Sequence, residues 1–145
     1  MPPAPPSAPE TVTLTPTGDK LSKHFTEKEF ACKCQARAPW IEPHKQVLPP
    51  KELVDVLEDL RGWFGKPVVV HSGYRCPTYN KHVGGASRSM HMKAIAADIT
   101  VVGHTPDEVS AYLLKKYAGK YGIGRYNTFT HIDVRGGPDR WDNRR

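Results

Sequence analysis

A chain of 145 residues suits one compact domain rather than two, and a hydrophobic share of 38% supplies a modest core once a polar N-terminal stretch is set aside. Its 21 Lys and Arg exceed its 15 Asp and Glu, a formal net charge of +6 that favours an anionic polymer as partner. The basic residues are scattered and no nucleic-acid motif accompanies them, so nucleic acid is not the expected partner; no stretch is long and apolar enough for membrane insertion, and three cysteines do not describe a disulfide framework.

Residues 1–22 are rich in Pro, Ser and Thr and nearly free of large apolar side chains, which predicts a disordered tail, with the folded domain spanning 23–145. The first ten residues carry neither a basic start nor an apolar run, so a Sec-type signal is not expected and the chain reads as made in the cytoplasm. Thr26 and Glu29 form a capping-box pattern for a short helix carrying Phe25 and Phe30. A looped stretch with Pro39, Pro43, Pro49 and Pro50 follows. Leu53, Val54, Leu57, Leu60, Trp63 and Phe64 then recur at helical spacing as core, and Gly65 ends the helix.

Residues 67–70 predict a buried strand that leads into the segment 71–76, and residues 94–102 predict a second strand. Thr105, Pro106 and Glu108 mark a helix start, and that helix turns Val109, Tyr112, Leu113 and Tyr117 inward. Two short strands, 122–126 and 129–135, complete an α+β fold of one domain, with helices flanking a small antiparallel sheet. A monomer is expected.

Seven histidines are present, and His91 and His131 are the two whose settings invite a metal. His91 precedes Asp98, and His131 shares a strand face with Phe129 and Asp133. Two imidazoles and a carboxylate suit a tetrahedral zinc whose fourth position is left to water, and such a site lowers the pKa of that water from ~16 to about 7. His24, His44 and His104 read as solvated, while His71 and His82 lie close in sequence to the motifs below. Cys32, Cys34 and Cys76 read as reduced thiols. Either Cys32 or Cys34 could instead bond Cys76, and a second metal at Cys32, Cys34 and His24 or His44 is a further alternative.

The segments Ser72-Gly-Tyr-Arg-Cys-Pro77, Tyr79-Asn80, Val83-Gly-Gly-Ala86, Ser89-x-His91, Ala96-Ala-Asp-Ile99, Gly122-Ile-Gly124 and His131-Ile-Asp-Val-Arg135 occur in that order. Together they resemble the zinc D-Ala-D-Ala carboxypeptidase and murein endopeptidase family. That family is related to the wider lysostaphin, carboxypeptidase and hedgehog zinc fold, and it includes many phage endolysins. The resemblance implies one Zn²⁺ held by His91, Asp98 and His131. It implies that Arg75 binds substrate carboxylate or polarises the scissile carbonyl, and that Ser89 contacts substrate or orients the site. Tyr126 and Trp141 could wall the cleft.

Two departures stand out. Many relatives carry Gly where this chain has Ala94. Several branches place a carboxylate three residues before the last zinc His as general base, where this chain has Thr128, and others place a His where it has Phe129. Asp133 is the nearest carboxylate in sequence; it could serve as the base, orient His131, or pair with Arg135. The expected function is zinc-dependent hydrolysis of an amide bond in peptidoglycan stem or cross-bridge peptides, by an endolysin-like enzyme acting at the bacterial cell wall. The alternative is a non-catalytic wall-binding or virion component that keeps the metal site.

Overall fold

The computed structural model describes residues 12–13, 19–42 and 46–145. Most of the expected tail, and His44 with its proposed roles, lie outside them. The elements are β1 (Val12–Thr13), a 3-10 turn (Glu27–Phe30), α1 (Cys34–Arg37), β2 (Gln46–Val47), α2 (Lys51–Phe64), β3 (Val68–Ser72), α3 (Pro77–His82), a second 3-10 turn (Met90–Lys93), β4 (Ala96–Val101), α4 (Pro106–Lys116), β5 (Gly122–Arg125), β6 (Thr130–Asp133) and β7 (Asp139–Asp142). Packing begins slightly before residue 23: Lys20 bridges Thr26, and Leu21 rests against the core.

The α+β fold is the one expected. Its main sheet has five strands in the order β3-β4-β6-β5-β7. Neighbours from β3 to β5 run antiparallel, but β7 joins β5 in parallel, so the sheet is mixed rather than wholly antiparallel. The sequence of β7, Asp-Arg-Trp-Asp, has no apolar alternation because it is an edge strand with no buried face, which is why periodicity does not reveal it.

Helix α2 covers the sheet with Leu53, Val54, Val56, Leu57 and Leu60, and Gly65 closes it in the left-handed conformation at φ 63°. Trp63, expected in the core, is 67% exposed and stacks on Tyr112 at 5.0 Å. The inward stripe is Leu53, Leu57, Leu60 and Phe64, and Trp63 stands about 100° around the helix from Phe64. The start of α4 is as the sequence predicts: Thr105 accepts from Glu108 N at 3.1 Å while Glu108 accepts from Thr105 N at 3.1 Å. Val109 and Leu113 of this helix are fully buried against Ile99, Ile123 and Ile132.

Strand register aligns the chemistry. Asp98 on β4 lies opposite Ser72 on β3 and His131 on β6; His131 lies opposite Gly124 on β5, and Gly124 opposite Trp141 on β7. One row across the sheet therefore carries Asp98, His131 and Trp141. Asp133 sits two residues along β6, on the same face.

Candidate active site

The hydrogen-bond partner of His91 defines its tautomer. The 3-10 turn Met90–Lys93 delivers His91, and its Nδ1 donates to the Gly73 carbonyl at 2.7 Å, because a carbonyl can only accept. That leaves Nε2 as the ring nitrogen turned toward Asp98. It is the one buried side-chain polar atom without a hydrogen-bond partner among the described residues, and it faces Asp98 Oδ2 at 3.2 Å.

His131 meets Asp98 Oδ1 through Nδ1 at 2.9 Å and Asp133 Oδ2 through Nε2 at 2.7 Å. Burial alone would lower the basicity of this ring, but the hydrogen bonds to Asp133 and Asp98 outweigh it and raise its pKa. Burial likewise opposes ionisation of Asp98, yet the His131 and His91 contacts hold its carboxyl well below the usual range. Three ligand atoms, one each from His91, Asp98 and His131, lie within 4.8 Å of one another. Donors ~2.0–2.1 Å from a tetrahedral zinc stand about 3.3 Å apart, and His91 Nε2 and His131 Nδ1 lie 3.2 and 2.9 Å from the two Asp98 oxygens. An orphaned imidazole nitrogen beside a carboxylate and a second imidazole therefore fits zinc.

The other expected residues surround this centre. Arg75 is clamped by its own fork: Nε donates to Ser72 Oγ at 3.0 Å, Nη1 to Asn80 Oδ1 at 3.2 Å and Nη2 to Asp98 Oδ2 at 3.1 Å. Asn80 is itself buried and anchored to the Ala86 carbonyl at 2.8 Å. Ser89 caps the turn that carries His91, accepting from His91 N at 3.2 Å. Tyr126 stacks on Phe129 at 4.3 Å, and its hydroxyl accepts from Trp141 Nε1 at 2.8 Å. Arg75, Ser89, His91, Asp98, Tyr126 and His131 all line one cleft of about 740 Å³.

Asp133 does not line that cleft. It is fully buried, with one oxygen on His131 and both oxygens on Arg135, at 2.7 Å from Nε and 2.7 Å from Nη2. Burial pushes against its charge, but Arg135 and His131 keep it ionised far below the ordinary carboxylate range. The Gly122-Ile-Gly124 motif makes room for this layer. A Cβ on Gly122 would meet the Asp133 carboxylate at 2.5 Å, and one on Gly124 would meet the Trp141 indole at 2.3 Å. Trp141 thereby reaches the His131 ring, with centroids 5.0 Å apart.

Sequence reasoning missed the Gly73 carbonyl, which carries no side-chain signal, and the role of Asn80, which stood inside a quoted motif without an assigned task. Ala94, the departure from glycine, has φ 61° and closes the His91 turn in the left-handed conformation. The backbone at position 94 thus takes a conformation that glycine adopts without the Cβ penalty.

No curated protein matches the chain. A family model described as Peptidase M15 matches residues 23–133, well over half of the sequence; Arg135 and Trp141 lie beyond it. The chain belongs to the Peptidase M15 family, whose members are zinc-dependent metallopeptidases.

Proposed function

We propose that this protein is an endolysin-like peptidase that hydrolyses an amide bond in the stem or cross-bridge peptides of peptidoglycan. The observation that carries this reading is the unpartnered Nε2 of His91, converging with Asp98 and His131 beside the Arg75 guanidinium in an open cleft. His91, Asp98 and His131 would hold one Zn²⁺. The chemistry supplied by the bound ion is Lewis acidity, which activates water and polarises the scissile carbonyl.

The protein's own residues do the rest. Arg75, always charged, offers a planar cation at the cleft wall to substrate carboxylate or to negative charge developing on the carbonyl oxygen. Its clamp on Ser72 and Asn80 keeps that charge beside Asp98 without reorganisation. Tyr126, whose oxygen already accepts from Trp141, has its own proton free to donate to substrate. Ser89 positions His91 through the turn and also lines the cleft. Asp133, expected from sequence as one possible proton carrier, is assigned instead as the carboxylate that orients His131, because His131 and Arg135 occupy it and the cleft does not reach it.

A second reading has its own support: among the described residues lining the cleft, Asp98 is the sole carboxylate, and Thr128 occupies the position where several relatives have a base. That arrangement suits a wall-binding protein that retains the metal site without turnover. Zinc-loaded wild type and His131→Ala, applied to purified bacterial wall in a zymogram, separate the two. Clearing by wild type alone supports the peptidase, and no clearing by either supports the binding protein. Mass spectrometry of the released muropeptides then identifies the bond cut.

A further inference from the structure

Away from the cleft, Cys32, Cys34 and Cys76 are all buried, and their sulfurs lie within 4.8 Å of one another. Cys32 and Cys34 come from the N-terminal arm, just before and at the start of α1, whereas Cys76 caps α3 more than forty residues later. We propose that these three side chains form a second metal site, a thiolate site for a soft cation of the zinc type that staples the N-terminal arm to the segment carrying Arg75.

Burial pushes the Cys32 thiol from 9.0 up to about 12, so a bound ion must displace that proton, and the donors around the three sulfurs suit the thiolates that result. Nitrogen donors point at each sulfur: Cys76 N at Cys32 Sγ, 3.4 Å; Tyr79 N at Cys76 Sγ, 3.4 Å; and Gln35 Nε2 at Cys34 Sγ, 3.6 Å. Donors of this kind satisfy a sulfur that carries negative charge, and thiolates are the ligands that soft cations select. Three sulfurs ~2.3 Å from one zinc stand about 3.8 Å apart, so small rotations about the cysteine side-chain bonds close the present triangle onto an ion. Each thiol gives its proton to solvent as its sulfur–metal bond forms. Among the described residues no fourth protein ligand joins the three sulfurs, and His44, a candidate from sequence, lies outside those residues. His24, one candidate for that place from sequence, is instead paired with Glu58 at 2.7 Å through Nδ1.

The location gives the staple a purpose. Cys76 directly follows Arg75, and Tyr74 N donates to the Phe30 carbonyl at 2.8 Å. Gly73, in the same stretch, supplies the carbonyl that fixes His91. Tying Cys76 to the arm thus braces the backbone that orients both Arg75 and His91.

The inference stands on residues separate from the His91, Asp98 and His131 centre, and the test keeps the two apart. Full-length protein loaded with zinc and freed of excess is titrated with a thiol-blocking mercurial while released zinc is followed with a metallochromic indicator. Wild type is expected to hold a second equivalent that the mercurial releases. His131→Ala should retain only that equivalent; Cys34→Ser combined with Cys76→Ser should retain only the mercurial-resistant one. The cobalt-substituted wild type and His131→Ala should show thiolate-to-cobalt charge-transfer absorption in the near ultraviolet. That spectrum decides the matter if the serine variants do not fold. Wild type with no mercurial-released zinc and no charge-transfer band, or an intact mass showing a disulfide between any two of the three cysteines, overturns the proposal.

Discussion

Asp133 holds Nε2 of His131 at 2.7 Å and thereby turns Nδ1 of the same ring toward Asp98. A carboxylate in that position makes its histidine a better and better-aimed ligand, and losing it typically costs about 10–100-fold in metal affinity. Asp133→Asn should therefore weaken zinc binding by about that factor, measured by competition with a chelating dye. Hydrolysis should return substantially at saturating zinc. If saturating zinc restores binding but not hydrolysis, Asp133 handles the proton after all.

Arg75 reaches Ser72, Asn80 and Asp98 with three different nitrogens. An ammonium on a flexible stem cannot reproduce that fork. Arg75→Ala is expected to lower kcat/KM on wall peptides by about 10²–10³-fold, the range for removing a preorganised donor to developing negative charge. Arg75→Lys should recover little of it, with zinc content unchanged in both. Full activity in the lysine variant would reduce Arg75 to a structural ion pair.

Ala94 closes the His91 turn at φ 61°, a conformation that costs a residue with a Cβ ~1–2 kcal/mol. Glycine removes that strain but adds ~0.4–1 kcal/mol of unfolded-state entropy and vacates a buried methyl position. With ~0.8 kcal/mol for the lost methyl these terms nearly cancel, so Ala94→Gly is expected to stay within about 1 kcal/mol of wild type, with Tm changed by no more than roughly 4 °C. A larger fall in Tm by calorimetry would mean that methyl packing, not backbone strain, governs the site.

Much of this could be read before any coordinates. The α2 stripe, the Thr105 cap and the strands bearing Asp98 and His131 follow from periodicity and capping chemistry, both local properties of the chain. His91, Asp98 and His131 were legible as a donor set because ligand chemistry restricts residue type, although only the register of β4 on β6 brings two of them together. What stayed hidden is long-range. Nothing in the sequence says that a Gly73 carbonyl selects the His91 tautomer, or which of the roles open to Asp133 survives its burial against His131 and Arg135. Cys76 meets Cys32 and Cys34 only through the packing of the arm on α3, and β7 pairs through backbone atoms that every residue shares.

Tyr121 links two elements far apart in sequence, donating its hydroxyl to Glu52 Oε2 on α2 at 2.8 Å. Burial, then the Glu52 hydrogen bond, pushes this phenol from the ordinary 10.0 up to about 12. Because the folded pKa is the higher one, the stability this group contributes is complete below pH ~10 and is lost as pH climbs toward about 12. Denaturant unfolding across that window should show wild type losing stability more steeply than Tyr121→Phe, by at most about 1.4 kcal/mol per pH unit, the slope of one proton. Tyr112 and Tyr117, both held up by burial and by Asp59, keep part of the slope in the variant. Identical slopes in the two proteins would place the alkaline transition on those tyrosines and remove Tyr121 from it.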